Sequence, residues 1–303
     1  MKTIKGIIPP MITPLKGDDQ IDREGTVRLT EHILAGGVHA LFLLGTTGEA
    51  QSLSYKCRYD FVELVCRQVA GRVPVLVGVT DTSLDESVKL AAHAAKCGAV
   101  AVVAAAPYYF APSQQELIEY YTALADALPL PLFLYNMPSH VKVFLEPATV
   151  KTLAEHPNIV GLKDSSANMT YFQTLLYHLG DNPDFSLYVG PEELTGECVL
   201  LGADGGVNGG ANIFPELYVA MYDAACAHDI ARVREIQRRI MQISTSVYTV
   251  GKYGSSYLKG VKCALSLLGV CDDYLSYPYR KFRTEERARI RQALEALGAN
   301  CNI

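Results

Sequence analysis

The sequence has 303 residues, of which 49% are hydrophobic, and its formal net charge at pH 7 is -5. That length and apolar content exclude a disordered chain and predict one large core or a large domain with an appendage. Charges of both signs are spread along the chain without a run of Lys or Arg, so we expect no nucleic-acid partner and no membrane surface. A small-molecule ligand is favoured instead.

The amino-terminal segment has two lysines before an apolar stretch, as a secretion signal does. Pro9, Pro10 and Pro14 interrupt that stretch, and no small-residue cleavage site follows it. The longest apolar run, from Ala99 to Pro107, is far below the roughly 18 residues that a membrane-spanning helix needs. We therefore expect a cytoplasmic protein.

Short apolar runs rich in β-forming residues recur along the first two-thirds of the chain. They are continuous rather than alternating, which is typical of parallel strands buried on both faces. The eight runs are GIIPPMITP from Gly6, HALFLLGTT from His39, VPVLVGVT from Val73, AVAVVAAAPYY from Ala99, PLFLYNMP from Pro131, IVGLKDSS from Ile159, FSLYVGP from Phe185 and GGVNGGAN from Gly205.

Segments with helical spacing separate these runs. In REGTVRLTEHILAGG, Leu29 and Ile33 lie one turn apart, and Gly36 and Gly37 end the helix. Three further helices are expected, at Asp85–Lys96, Gln114–Leu128 and Tyr171–Leu179. A strand and helix unit of roughly 30 residues, repeated eight times, predicts a (β/α)8 TIM barrel, with a doubly wound open sheet as the alternative.

After Pro215 the pattern becomes helical, with four segments that carry apolar stripes. These stripes must be covered, so we expect a helical appendage packed against the barrel. The predicted domains are a catalytic barrel over residues 1–225 and a C-terminal helical domain over residues 226–303.

The active site of such a barrel is built from the carboxyl ends of the strands and the loops after them. This rule selects GTTGE at 45–49, PYY at 107–109, YNMP at 135–138, KDSS at 163–166 and GPEE at 190–193. Gly45-Thr46-Thr47-Gly48 would give a tight turn whose amides and hydroxyls suit a carboxylate or phosphate, although such glycines can serve the turn alone.

Lys163 follows a run that should be buried on both faces, where an ammonium is costly unless it is paired or loses its proton. Desolvation favours the neutral amine, which attacks a carbonyl carbon. The alternative is an ion pair at the strand tip with Asp164 or another carboxylate. Tyr135 would bring a phenol to the same barrel mouth, where it could relay a proton or simply pack as an amphipathic ring.

The eight cysteines form no C-x-x-C pair, and the seven histidines form no H-x-H or H-E-x-x-H pattern. We therefore expect no disulfide framework and no metal. The absence of G-x-G-x-x-G at a strand end argues against a redox cofactor.

Taken together, the motifs GTTGE, PYY, YNMP, GLKDSS and GADGGVNGGAN, in this order and spacing, resemble the dihydrodipicolinate synthase and N-acetylneuraminate lyase superfamily of pyruvate-dependent class I aldolases. The resemblance runs over essentially the whole chain. It implies that Lys163 forms a Schiff base with a 2-oxo acid, that Tyr135 relays the proton and that Thr46 hydrogen-bonds Tyr135. No cofactor beyond the lysine imine is implied.

The resemblance also implies the substrate contacts. Thr47 and nearby amides would hold the carboxylate of the 2-oxo acid, and Val207 would line the pyruvate pocket with its carbonyl. Tyr109 resembles a tyrosine that many members insert across a dimer interface, so a homodimer or homotetramer is expected. Gly45 and Gly190 are further expected substrate-binding positions.

The chain departs from the synthases at His140, where they generally carry an arginine that grips a second carboxylate. A guanidinium clamp is not replaced by an imidazole. Glu192 and Glu193 fall where sugar-acid lyases place carboxylates that accept hydrogen bonds from substrate hydroxyls, and they would repel an anionic aldehyde.

These departures favour a lyase that cleaves or condenses a 2-keto-3-deoxy sugar acid or a sialic-acid-like substrate, with pyruvate and an aldehyde as its small-molecule partners. Dihydrodipicolinate synthase is the first alternative. A catalytically silent 2-oxo acid sensor on the same fold is the second.

Overall fold

The computed structural model describes residues 4–299 and residue 301. Its centre is a sheet of eight parallel strands, and the neighbours of β2 through β8 follow chain order while β1 pairs with β8. The strands are β1 (Gly6–Ile7), β2 (Leu41–Leu43), β3 (Val75–Gly78), β4 (Ala101–Ala105), β5 (Leu132–Asn136), β6 (Ile159–Asp164), β7 (Ser186–Val189) and β8 (Gly205–Gly206). A parallel bridge between Pro10 and Phe42 joins the segment after β1 to β2. The predicted (β/α)8 barrel is thus confirmed, and the open doubly wound sheet is wrong.

The first strand is shorter than its apolar run. Pro9 and Pro10 have no amide hydrogen to donate, so the ladder reaches β2 only through the Phe42 amide, which donates to the Pro9 carbonyl, and the Met11 amide, which donates to the Phe42 carbonyl. A two-stranded antiparallel hairpin, Leu15–Gly17 with Gln20–Ile21, follows. This hairpin lies outside the eight predicted strand runs.

Helices alternate with the strands and then continue alone. They are α1 (Arg23–Ala35), α2 (Tyr55–Val69), α3 (Leu84–Lys96), α4 (Gln114–Ala127), α5 (Pro138–Val141), α6 (Pro147–Leu153), α7 (Met169–Leu179), α8 (Thr195–Leu200), α9 (Pro215–Cys226), α10 (Ile230–Ser246), α11 (Ser256–Leu267) and α12 (Thr284–Ala296). Side-chain oxygens cap many amino termini; in α4, for example, Ser113 and Glu116 form a reciprocal capping box. None of the helices among the described residues is long and apolar enough to cross a bilayer.

The C-terminal helices share the core of the barrel. Ile243 of α10, Val261 of α11 and Ile290 of α12 are fully buried in the same hydrophobic cluster as the strand residues Leu134 and Leu162. Burying these apolar stripes removes them from water, which stabilises the packed arrangement. The core is therefore continuous across residue 225, and the division into domains 1–225 and 226–303 stays a prediction.

Candidate active site

A cavity of about 560 Å³ opens where the barrel strands have their carboxyl ends. Its inner wall comes from residues at or just after β2 to β5, and its outer wall comes from the C-terminal appendage. The polar residues of the two walls are Thr46, Glu49, Gln51, Ser52, Thr80, Tyr108, Tyr135 and His140 on the barrel side, and Tyr253, Ser255, Tyr257 and Tyr279 on the appendage side. A cavity of this size holds more than a three-carbon 2-oxo acid.

Lys163 adjoins the floor of this cavity from β6. Its side chain is only 7% exposed, and its Nζ lies 4.1 Å from the ring centroid of Tyr135 and 5.2 Å from that of Phe42. The parallel register pairs Tyr135 directly with Lys163, which is why neighbouring strands bring the two side chains together. Among the described residues Lys163 makes no ion pair. The Asp164 carboxylate instead accepts hydrogen bonds from Asn136 Nδ2, at 2.8 Å, and from Ser166.

Tyr135 is buried, and its hydroxyl lies 3.3 Å from Thr46 Oγ1. Burial raises the pKa of a phenol, but the charge of Lys163 and hydrogen bonds from Thr46 and Ser165 outweigh that effect, so the pKa of Tyr135 lies below its ordinary value. Ser165 can approach because its neighbour Gly190 has no side chain: a Cβ there would lie 2.1 Å from Ser165 Oγ. The phenol is therefore suited to give up and regain a proton beside the lysine.

The GTTGE loop is a tight turn in which the Gly48 amide donates to the Gly45 carbonyl over 3.0 Å. A Cβ on Gly45 would lie 2.6 Å from the Phe42 ring, so glycine is required for this close approach. Thr46 faces the cavity, whereas Thr47 is buried and its Oγ1 lies 3.2 Å from the Tyr257 hydroxyl. The two threonines thus have different partners, one in the barrel and one in the appendage.

Glu49 ends this loop in the left-handed backbone conformation, with φ of 58°, and its carboxylate is 1% exposed. It forms an ion pair with Lys262 of α11, whose side chain is fully buried. Glu49 Oε2 also accepts a hydrogen bond from the Ser276 amide at 2.9 Å, and Lys262 Nζ donates to the Tyr274 carbonyl at 2.7 Å. Breaking such a buried pair by removing one partner would leave an uncompensated charge, so the loop and the appendage are held together.

The two glutamates after β7 do not line the cavity. Glu192 is buried, and its carboxylate accepts hydrogen bonds from the hydroxyls of Tyr218 and Tyr248 and from the Gly210 amide. Burial raises its pKa to about 7 against the effect of these three donors. Glu193 accepts a hydrogen bond from Ser244. Both carboxylates are engaged with the C-terminal helices and their surroundings.

The remaining expected positions lie at different depths. Val207 is buried and borders, with Lys163, a small space inside the barrel. His140 lines the outer cavity, and burial together with the charge of Lys163 lowers the pKa of its imidazole. Tyr109 is 73% exposed, packs edge-on against Phe110 and lies outside this cavity. In the part of the chain that the structure describes, no group of His, Cys, Asp or Glu could hold a metal ion.

Comparison with family models identifies residues 3–297 as a match to the dihydrodipicolinate synthetase family. The chain belongs to this family. A solved structure described as dihydrodipicolinate synthase from Bacteroides thetaiotaomicron is 60% identical, covers 98% of this chain and 99% of its own, and superposes with a TM-score of 0.95.

Two other relatives show the breadth of the family. A protein of Escherichia coli K12 named probable 2-dehydro-3-deoxy-D-pentonate aldolase YjhH is 32% identical over 98% of this chain and 99% of its own. The structure of the E. coli prophage protein YagE in complex with pyruvate is 30% identical, covers 98% and 99% of the two chains, and has a TM-score of 0.92. The protein is therefore an enzyme, a class I aldolase-type lyase of the dihydrodipicolinate synthetase family.

Sequence reasoning did not single out the appendage residues of this family member's cavity. Tyr253, Ser255, Tyr257 and Tyr279 come from segments where the pattern indicated only helices or loops. Glu49 and Lys262 were also not paired, because they lie more than two hundred residues apart in the chain. The surplus of 18 tyrosines was a signal, but it did not distinguish those at the cavity.

Proposed function

We propose that the protein is a Schiff-base-forming aldolase that cleaves, or forms by condensation, a 2-keto-3-deoxy sugar acid. The observation that carries the proposal is the buried amine of Lys163, which makes no ion pair with any described residue, beside the phenol of Tyr135 at the floor of a large cavity. A desolvated amine next to a proton relay is the arrangement that imine chemistry requires.

In the proposed cleavage, the Lys163 amine adds to the C2 carbonyl, and Tyr135 gives its proton to the departing hydroxide, so that water leaves, a protonated imine forms and Tyr135 becomes a phenolate. Tyr135 accepts the proton of the C4 hydroxyl while the C3–C4 bond breaks, and the electron pair moves into the imine to form an enamine. An aldehyde departs, C3 is protonated, and hydrolysis of the second imine releases pyruvate and the free amine. Thr46 positions the Tyr135 hydroxyl. Thr47, Gly45, Gly190 and Val207 surround the 2-oxo acid.

The substrate class follows from the charges at the outer cavity. None of the described residues that line it is Arg or Lys, burial and the charge of Lys163 lower the pKa of His140, and Glu49 is already paired with Lys262. Lys142 is exposed and does not line the cavity. An acceptor with a second carboxylate would therefore lose water without gaining a cation, whereas a polyol aldehyde carries no such cost. Glu192 and Glu193 carry no part of this argument because their carboxylates are already hydrogen-bonded.

A second candidate is 4-hydroxy-tetrahydrodipicolinate synthesis from pyruvate and aspartate semialdehyde. It is favoured by the Bacteroides relative, which is described as a dihydrodipicolinate synthase and is 60% identical. The third candidate, a silent 2-oxo acid sensor, is disfavoured by the presence of both Lys163 and Tyr135.

We further propose that the active form is a homodimer or homotetramer in the cytoplasm, with Tyr109 reaching a neighbouring subunit. Its exposed ring and the exposed Phe110 beside it support this proposal, since closed dimers are the commonest assemblies. Sedimentation at assay concentration tests it. A fully active monomer would contradict the role of Tyr109.

The test of the chemistry is reduction with borohydride in the presence of pyruvate, followed by peptide mapping. A pyruvyl adduct on Lys163 is expected, and an adduct on another lysine, or none in active protein, would reject the mechanism. Side-by-side kcat/KM values for 2-keto-3-deoxy-pentonate cleavage and for condensation with aspartate semialdehyde test the substrate class. A preference for aspartate semialdehyde would select the synthase.

A further inference from the structure

The outer wall of the cavity is fixed to the GTTGE loop by contacts that cross the molecule. The strap at 274–279, between α11 and α12, is bound at two of its backbone groups: the Tyr274 carbonyl accepts from Lys262 Nζ, and the Ser276 amide donates to Glu49 Oε2. Lys262 and Glu49 are themselves a fully buried ion pair. A strap attached in this way keeps a constant position relative to the loop that carries Thr46 and Thr47.

The strap is also anchored on its other side. Leu275 and Ser276 are 4% and 3% exposed, and the Tyr274 hydroxyl donates to Asp18 Oδ1 over 2.7 Å. The Tyr279 amide then donates to the Ser276 carbonyl at 3.0 Å, which turns the backbone so that Tyr279 lines the cavity. Tyr279 is thus connected to Glu49 through the hydrogen-bonded backbone of the strap.

The hydroxyl of Tyr279 has no hydrogen-bond partner among the described residues, and its side chain is 38% exposed. Gln51 and Ser52, directly after Glu49, line the cavity as well, as does Ser255 from the segment before α11. This rim offers neutral groups that both donate and accept hydrogen bonds. Its described residues include no side chain that would neutralise an anion.

We propose that Tyr279 is a specificity-determining residue that hydrogen-bonds a hydroxyl of the aldehyde acceptor, and that the strap holds it in register with the GTTGE loop. This inference rests on the proposed function, since it assigns a place to the acceptor of that same reaction. Hydroxyls of a polyol can both donate to and accept from the Tyr279 phenol, so a single ring position serves either direction of the reaction. A donor whose backbone is already held by the strap also costs less ordering entropy when the acceptor binds.

Tyr279→Phe removes the hydroxyl and leaves the ring. The loss of one neutral hydrogen bond should lower kcat/KM for condensation of pyruvate with glyceraldehyde by about 3- to 10-fold. Propanal has the same three-carbon chain without the two hydroxyls, so the variant should use it as well as the wild type does. Borohydride trapping with pyruvate alone should be unchanged, because imine formation at Lys163 precedes acceptor binding.

The matched control is Tyr277→Phe on the same strap. The Tyr277 hydroxyl accepts a hydrogen bond from Arg280, and Tyr277 does not line the cavity. Loss of this hydroxyl should therefore leave kcat/KM unchanged for both aldehydes. Equal losses with glyceraldehyde and propanal in Tyr279→Phe, or no loss with either, would overturn the assignment. Impaired trapping in that variant would overturn it too, by moving Tyr279 to the 2-oxo acid. Failure of the wild type to form any adduct would instead reject the proposed function itself.

Discussion

The floor of the cavity and the walls around it are built in different ways. At the floor, Lys163 and Tyr135 lie on adjacent strands, are 7% and 5% exposed, and are set by the hydrogen-bonded register of the barrel. At the wall, His140 and Tyr279 lie on a short helix and a loop, are more exposed, and depend on contacts between distant segments. Under the proposed function, the barrel would fix the chemistry, whereas the loops and the appendage would select the acceptor.

Removal of the floor amine gives the largest expected effect. Lys163→Ala should lower turnover by roughly 10⁴-fold or more, because the covalent route is lost with its nucleophile. Turnover and borohydride trapping should fail together. The control is Lys142→Ala, which removes an exposed lysine outside the cavity. A pyruvate adduct that is still trapped in Lys163→Ala would contradict the assignment of the imine to the floor of the cavity.

The next prediction concerns stability. It tests whether the Glu192 carboxylate is buried away from both the floor and the walls of the cavity. Its folded-state pKa of about 7 lies above the ordinary 4.5. The stabilisation that follows is therefore complete below pH 4.5 and is lost as pH rises through about 7. Glu192→Gln cannot titrate, so the wild type should lose about 3 kcal/mol relative to the variant between pH 4.5 and 7.5.

Urea unfolding midpoints at both pH values measure this difference, since all other titrating groups are common to the two proteins. Parallel pH profiles of wild type and Glu192→Gln would show that the Glu192 pKa is not raised. Trapping of pyruvate should be the same in both proteins at pH 7.5. A defect in trapping in Glu192→Gln would show that Glu192 affects imine formation at the floor of the cavity.

Tyr135→Phe should lower turnover by roughly 10²-fold, the usual scale for a general acid-base group, while borohydride trapping is partly retained. The control is Tyr121→Phe, which removes another buried tyrosine hydroxyl, one that donates to the Ala104 carbonyl away from the cavity. Near wild-type turnover in Tyr135→Phe would mean that water or another group carries the proton.

The smallest effect is expected at the wall. His140→Arg supplies a guanidinium for a second carboxylate and should raise the ratio of aspartate semialdehyde condensation to sugar-acid cleavage by roughly tenfold. His140→Lys adds the charge without the fork, so a smaller increase is expected. Measurements of kcat/KM on both substrates decide the point, and an unchanged ratio in both variants would remove His140 from acceptor selection.

The sequence by itself determined the barrel and its floor. Continuous apolar runs predict buried parallel strands, and a parallel barrel brings every strand's carboxyl end to one mouth, so the order of the motifs is enough to group Lys163, Tyr135 and Thr46 at one site. The pattern of apolar runs did not predict two features of the backbone. These are the short β1, which prolines shorten, and the hairpin before α1.

Only the tertiary structure determined which residues form the walls of the cavity and how they are held. The Glu49–Lys262 pair, the strap that presents Tyr279 and the contact of Thr47 with Tyr257 each join residues more than two hundred positions apart. The hydrogen bonds that the Glu192 carboxylate accepts from Tyr218 and Tyr248 also come from the C-terminal helices and their surroundings. Periodicity reports which face of an element is buried, but not which distant side chain buries it. Contacts between the appendage and the barrel loops are therefore decided by packing and hydrogen bonding in the folded chain.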